Sequence, residues 1–280
     1  MEASSIWFNT QFTLGRLPHI LRLKSLDPDI FGPAFKVEIE NTDYLVKTAD
    51  HPDELLQVLR LRFEVFFREF SGKKVTFSLF PYDIDMHDFL CDHLIVKDKL
   101  SDQVVACYRL LSTNSGKQIK KFYSQGEFVF DDLLKTSGHK LELGRACVHK
   151  DYRKGAVISL LWRGLISYAK QSQTRYMFGC SSINRADFPY LSQIIESIEK
   201  QGGFIDEYSI GVRPDYTLNI HPEQAKDRNP KAMNSLMHMY LLAGARFGRV
   251  MAYDAEMDCI DLFTLMDMEK LPASFERRFS

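Results

Sequence analysis

The sequence lacks most of the features that would assign it to a specialised class. Its 280 residues include only five cysteines, Cys91, Cys107, Cys147, Cys180 and Cys259, and none belongs to a C-x-x-C pair. An odd, scattered set argues against a disulfide framework and reads as reduced thiols in a cytoplasmic protein. No run approaches the ~20 apolar residues that cross a bilayer. The opening Met1-Glu2-Ala3-Ser4-Ser5 lacks the basic start of a secretory signal. There is no charge excess either, with 36 Lys and Arg against 37 Asp and Glu, net −1. A chain built to grip nucleic acid phosphates carries a basic surplus, so no nucleic acid partner is expected. G-x-S-x-G, Walker and H-E-x-x-H motifs are absent, which leaves hydrolase, nucleotide-triphosphatase and zinc-protease readings without residues.

What is present is an ordinary globular composition, 45% hydrophobic and 26% charged. A chain of this size can bury a core without disulfides or metal. Residues 1–40 read as an arm, with Ile6, Trp7, Phe8, Phe12, Leu14, Leu17, Ile20, Leu21 and Leu23 among Arg16, Arg22 and Lys24. It either packs on the domain or lies along a membrane surface. Pro28, Gly32 and Pro33 read as a linker. Tyr44–Thr48 predicts a strand, and His51-Pro52-Asp53-Glu54 opens a helix that Gly72 ends. His93–Val96 and Val104–Leu111 predict a hairpin, and Leu141–Val148 another strand. Val157, Leu160, Leu161, Leu165 and Tyr168 mark a helix of about five turns. Tyr176–Cys180 is a short strand, and Pro189 opens a helix stopped by Gly202-Gly203. Asn229-Pro230 caps a helix running through Met237 and Tyr240, before closing strands at Arg249–Tyr253 and Ile260–Met266. This mixture predicts an α/β or α+β sheet domain over 41–280, with a C-terminal helix and strands from about 204.

The chemistry concentrates in Glu142-Leu143-Gly144-Arg145 and the loop Arg153-Lys154-Gly155-Ala156, which lie on a strand, loop, helix unit. A basic loop at a helix start suits a phosphate, although a charged turn that only caps the helix reads the same way. Strict alternation would put Glu142 and Arg145 on opposite faces. A bulge at Gly144 would turn both the same way and make a carboxylate–cation pair fit for general-base work. A surface salt bridge is the competing reading. His87 and His93 lie among Asp83, Asp85, Asp88 and Asp92, but the spacing matches no metal signature, and no metal is expected. Those acids either bind a cationic amine or pair with Arg62 and Arg109.

These residues resemble a known pattern. The strand, loop and helix from Glu142 to Trp162 resemble the acyl-thioester motif of the general N-acetyltransferase superfamily. More closely, the chain resembles the ornithine-lipid N-acyltransferases (lyso-ornithine lipid synthases), also labelled haemolysin-like. The blocks follow in order over residues 44–280. They are Leu61–Phe66 with Glu69, Asp85-Met86-His87-Asp88, Cys91-Asp92-His93-Leu94, Val105, Tyr108-Arg109-Leu110 and Phe122-Tyr123-Ser124. After Glu142–Trp162 come Phe178–Ser181, Tyr240-Leu241, Gly244-Ala245-Arg246, Asp261-Leu262 and Arg277-Arg278-Phe279. The acyl-homoserine-lactone synthases share Arg62, Phe66, Asp85, Asp88, Arg109, Glu142 and Arg145, but are generally shorter, lack the Tyr240–Arg278 region and use S-adenosylmethionine. The haemolysin label also leaves a non-catalytic membrane-binding protein as an alternative.

The resemblance implies a largely antiparallel, twisted sheet, flanked by helices and splayed at its central strands. It implies a long-chain 3-hydroxyacyl thioester as donor and an amino acid amine, most often ornithine, as acceptor. Ornithine, lysine, glycine and glutamine all stay open from the sequence. Glu142 would be the base, with Arg145 orienting it or binding the acceptor carboxylate. Backbone N–H groups near Ala146–Val148 would polarise the thioester carbonyl. Arg62, Arg109, Asp85 and Asp88 would handle the acceptor, and Arg153, Lys154, Gly155 and Ala156 the donor phosphate. The superfamily loop reads Arg-x-x-Gly-x-Gly/Ala, whereas this one is shorter with a single glycine. It suits the one phosphate of acyl-phosphopantetheine on acyl carrier protein better than a coenzyme A pyrophosphate. No cofactor would be resident, and a lipid product implies loose attachment at the inner membrane.

Overall fold

In the computed structural model, residues 18–19, 31–70, 81–153, 156–218 and 234–279 are described. Residues 1–17 and 20–30 of the N-terminal arm, the expected stop at Gly72, the cap at Asn229-Pro230, and Lys154 and Gly155 lie outside them. Among the described residues, no helix is long and apolar enough to cross a membrane. The fold is mixed α/β, with mostly antiparallel strands and flanking helices.

The chain divides into two compact units. The first is Met1–Gln118, Leu143–Ser172 and Phe279–Ser280. It carries strands β1 (Glu38–Glu40), β2 (Tyr44–Thr48), β3 (Asp92–Asp98) and β4 (Gln103–Ser112), each antiparallel to the next. Beside β4 runs the second half of β6 (His139–Val148). Strand β2 has the predicted bounds, and β3 and β4 form the predicted hairpin. Its turn holds because Asp98 accepts hydrogen bonds from the Leu100 and Ser101 amides, at 2.9 and 3.0 Å.

Helix α1 (Pro52–Phe63) starts as its sequence dictates. The His51 ring accepts the Asp53 amide, Pro52 sits where a missing N–H costs nothing, and acids fill the first turn. It does not stop at Phe63 but widens into a π-helical stretch, Glu64–Phe70. Helix α3 (Ala156–Gln171) buries the predicted stripe Val157, Leu160, Leu161, Leu165 and Tyr168. Gly164 lets it approach the sheet, since a Cβ there would meet Val46 at 2.6 Å and Leu94 at 3.0 Å. Asp92 heads β3 and ties the unit together, accepting from the Ala34 amide, the Tyr168 hydroxyl and the Lys117 ammonium.

The second unit is Ile119–Glu142 and Gln173–Arg278. The first half of β6 lies beside β7 (Thr174–Asn184), followed by β10 (Cys259–Asp267) and β9 (Arg246–Asp254), antiparallel along β7–β10–β9. Strand β7 is longer than the predicted Tyr176–Cys180. Its polar continuation Ser181–Asn184 is held by β10, where Ser182 faces Asp261 in register. Helices α4 (Leu191–Lys200) and α5 (Ser235–Leu242) match predicted apolar periodicity, although Pro189 sits in a short 3₁₀ segment before α4 and Asn234 caps α5. The pair β5 (Phe128–Val129) and β8 (Gly211–Val212), helix α2 (Asp131–Lys135) and helix α6 (Ala273–Phe279) were not predicted. Each is too short for periodicity to register. The core centres on Phe122, Phe130, Phe178 and Phe263, with ring centroids 4.6–5.8 Å apart.

Candidate active site

In the first unit, the sequence-predicted Arg62, Asp85, Asp88, Arg109 and Arg145 come together with Asp83. Arg62 leaves α1 fully buried. Its guanidinium donates to Asp83 at 2.6 and 2.7 Å and to Asp88 at 2.6 Å. Arg109, on β4, donates to both oxygens of Asp85 at 2.8 Å and to Asp88 at 3.2 Å. Arg145 reaches Asp83 at 3.1 Å and Asp85 at 3.7 Å. Three cations thus meet three anions, and the network is neutral as a whole. Asp85 and Asp88 also form a reciprocal cap. Asp85 accepts from the His87 amide while Asp88 accepts from the Asp85 amide, at 2.8 Å each. The acidic stretch is therefore a 3₁₀ turn, Met86–Phe89, that folds its carboxylates onto the arginines.

The electrostatics follow from that geometry. Burial opposes ionisation of Asp85, but Arg109, the His87 contact, Arg145 and Arg62 outweigh it and hold its carboxyl well below the usual range. Asp88 goes the same way, through Arg62 and Arg109. Arg62 and Arg109 are held firmly charged by their acids. His93, paired in register with Arg109, is pushed down to about 4 by burial, against the pull of Asp88. It is neutral at pH 7. Within the network only Asp85 (29% exposed) and Arg145 (16%) reach solvent, so they alone can meet a ligand without displacing a buried ion pair.

Glu142 and Arg145 engage different partners. The irregularity of β6 sits at Arg145 itself, with φ 51, and not at Gly144. The cost of a left-handed non-glycine residue is offset by the two ion pairs it aims. Glu142 belongs to the second unit. Its buried carboxylate accepts the backbone N–H groups of Tyr123 (2.9 Å) and Ser124 (2.7 Å). Each oxygen takes one amide and keeps a lone pair. Arg153 donates to the Val148 carbonyl at 3.1 Å, grips both oxygens of Glu69, and lies 4.9 Å over the Phe70 ring.

A second buried polar group centres on Asp261, which the sequence offers only within a block of the family resemblance and without a role. Asp261 accepts the Ser182 hydroxyl at 2.6 Å, and the Cys259 thiol lies 3.6 Å from it. Burial pushes Asp261 up to about 6, with Asp254 adding to the shift and Ser182, Cys259 and Glu127 opposing it. Ligand atoms of Asp254, Cys259 and Asp261 lie within 4.8 Å of one another. However, Asp254 already takes the Glu256 and Met257 amides. An aspartate inside the apolar run Ile260–Met266 was the available signal.

Opposite pH responses follow for the two units. His93 prefers the neutral state when folded, so its contribution is complete above pH 6.5 and is lost as pH falls toward 4. Asp261 prefers the protonated state when folded, so its contribution grows as pH falls from 6 toward 3.8. Each amounts to on the order of 3 kcal/mol and they nearly cancel globally. Hydrogen exchange resolves them. After correction for intrinsic rates, β3 amides are expected to lose protection between pH 6.5 and 4 while β10 amides gain it. Parallel loss in both strands would contradict this assignment.

A family model described as an acetyltransferase (GNAT) domain matches residues 61–163. The L-ornithine N(alpha)-acyltransferase of Rhizobium meliloti (strain 1021) is 30% identical over 206 residues, covering 69% of each chain. That of Rhodobacter capsulatus is 29% identical over 239 residues, covering 81% of this chain and 91% of the relative. A solved CoA-dependent acyl-homoserine lactone synthase, BjaI, with MTA, matches at 12% identity with a TM-score of 0.45, over 81% of this chain and 80% of that one.

Proposed function

Because the chain belongs to the family of the L-ornithine N(alpha)-acyltransferases, we propose that it moves a long-chain 3-hydroxyacyl group from acyl carrier protein to the α-amine of ornithine, making a lyso-aminolipid. That it is an acyltransferase follows from the family. The observation carrying the site assignment is Glu142, a buried carboxylate fixed by two amides with a lone pair left on each oxygen. The neutral amine attacks the thioester carbon. Its proton passes to Glu142, directly or through a water. The C–S bond breaks as the amide C–N bond is completed, and the pantetheine sulfur leaves as the thiol after taking back the proton that Glu142 received, directly or through the same water. Amides near Ala146–Val148 polarise the carbonyl oxygen. Arg145 takes the acceptor carboxylate and Asp85 its side-chain ammonium, while Arg62, Arg109 and Asp88 hold those two in place. The product is amphipathic, which favours attachment of the enzyme at a membrane surface.

The donor phosphate goes to Arg153 with Lys154, Gly155 and Ala156. Glu69 competes for Arg153, and the test uses that competition. Arg153→Ala is expected to raise KM for the carrier donor several-fold at low salt, with the defect fading at high salt. Glu69→Gln is expected to lower KM. A salt-independent defect in Arg153→Ala would make the residue a structural clamp. The reading as a whole is tested by thiol release from 3-hydroxyacyl carrier protein and from the matching acyl-coenzyme A, each with ornithine, lysine, glycine and glutamine. Faster release with the carrier donor and ornithine is expected. Equal or greater release from the coenzyme A thioester would remove the carrier protein from the reading.

A further inference from the structure

The side chain assigned as base does not hold itself in position. Glu142 is held by main chain, from a 3₁₀ turn, Tyr123–Gly126, that precedes it by nearly twenty residues. That turn is itself secured at each end. Phe122 is extended, with φ −75 and ψ 154, and its N–H donates to the Gln125 side-chain oxygen at 2.9 Å. The Gln125 amide donates to the Phe122 carbonyl at 3.2 Å, and the Gln125 carbonyl accepts the Arg213 guanidinium at 3.2 Å. The Phe122 ring packs edge-on to Phe178 at 5.0 Å. From β7, the Cys180 thiol donates to the Ser124 hydroxyl at 3.6 Å. Burial pushes that thiol well up, so it is a donor and not a thiolate.

We infer that the Tyr123–Gly126 turn is the positioning device of the acyl transfer. Its Tyr123 and Ser124 amides fix the Glu142 carboxylate, and Gln125 is the side chain that keeps those amides aimed. This rests on the assignment of Glu142 as base. The logic is that of any preorganised base. A carboxylate on a flexible stem samples many orientations, and only those presenting a lone pair to the incoming amine are productive. Two amides on two different oxygens remove both the torsional freedom and the ambiguity about which lone pairs are free. The ordering is complete before substrate arrives, so it serves kcat and not substrate affinity.

The turn permits a clean deletion of one amide. Proline fits the first position of a helical turn, and the extended Phe122 is the backbone a residue before proline adopts. Tyr123→Pro therefore removes the N–H that Glu142 accepts. Tyr123→Ala removes the same ring and keeps the N–H. The expected results are kcat for Tyr123→Ala within about threefold of wild type, and kcat for Tyr123→Pro at least about tenfold below Tyr123→Ala, on the scale of general-base contributions. KM should be unchanged between the two. Equal kcat in the two variants, with Glu142→Gln inactive, would overturn the positioning role and leave the base intact. An active Glu142→Gln would overturn the base assignment first. If Tyr123→Pro does not fold, Gln125→Ala and Gln125→Glu decide. The first is expected to lower kcat with KM unchanged. The second restores an acceptor for the Phe122 amide and most of the rate. Unchanged kcat in Gln125→Ala would contradict the proposal.

Discussion

Replacing Arg62 by methionine is expected to cost about 3–5 kcal/mol, because it takes from two buried carboxylates the cation they share. Asp83 and Asp88 are almost wholly buried, and Arg62 meets both within 2.7 Å. Methionine fills much of the same space and returns none of the charge. Arg109 still reaches Asp88, and Arg145 still reaches Asp83, so neither acid is wholly abandoned. The loss is one cation from a balanced set of six groups, and burial forbids water from replacing it. For a chain of this size the melting temperature should fall by on the order of 10 °C. Removing a partner acid as well distinguishes charge imbalance from lost packing. Arg62→Met with Asp83→Asn is expected to be more stable than Arg62→Met alone. A double variant less stable than either single variant would mean that packing, and not charge, dominates at Arg62.

The second large effect concerns Glu142. Glu142→Gln keeps the shape of the side chain and one carbonyl oxygen able to accept an amide, but the side-chain nitrogen must then face the other main-chain donor. Turnover is expected to drop by about 10²–10⁴-fold, the usual worth of general-base assistance. Some of the fold's stability goes with it, since one carboxylate–amide hydrogen bond becomes a donor–donor clash, typically about 1–3 kcal/mol. The two consequences separate by experiment. Excess hydroxide substitutes for a missing base, so the rate of Glu142→Gln should rise with pH beyond the wild-type plateau, which a merely destabilised enzyme would not do. Near-normal turnover in a folded Glu142→Gln variant would assign the residue to scaffolding of the 3₁₀ turn alone.

The parts legible in the sequence were those written in periodicity. Strand β2, the β3–β4 hairpin and helix α3 declared themselves through alternation or a helical stripe. The candidate site was legible as residue types in order, but not as pairings. Asp85 and Asp88 carried two readings, a cation site or partners for Arg62 and Arg109, and nothing in the chain separates them. The deciding fact is tertiary: the 3₁₀ turn Met86–Phe89 delivers both acids to arginines more than twenty residues away. Because glycine tolerates left-handed backbone, the sequence points to Gly144 for the β6 irregularity, yet Arg145 adopts it, stabilised by ion pairs that no local rule reveals. The amides that hold Glu142 belong to Tyr123 and Ser124, and main-chain donors leave no trace in a residue pattern. In the sequence Glu69 stands out only within a block that carries the family resemblance, while its contact with Arg153 spans 84 positions.

The central claim is that this chain acylates the α-nitrogen of an amino acid, and one measurement addresses it directly. The purified protein would be incubated with 3-hydroxyacyl carrier protein and ornithine labelled with ¹⁵N at the α position only, and the product fragmented in a mass spectrometer. The account predicts a single mono-acylated product whose amide fragment carries the heavy nitrogen. An amide on the unlabelled side-chain nitrogen, or an ester with both nitrogens free, would contradict it.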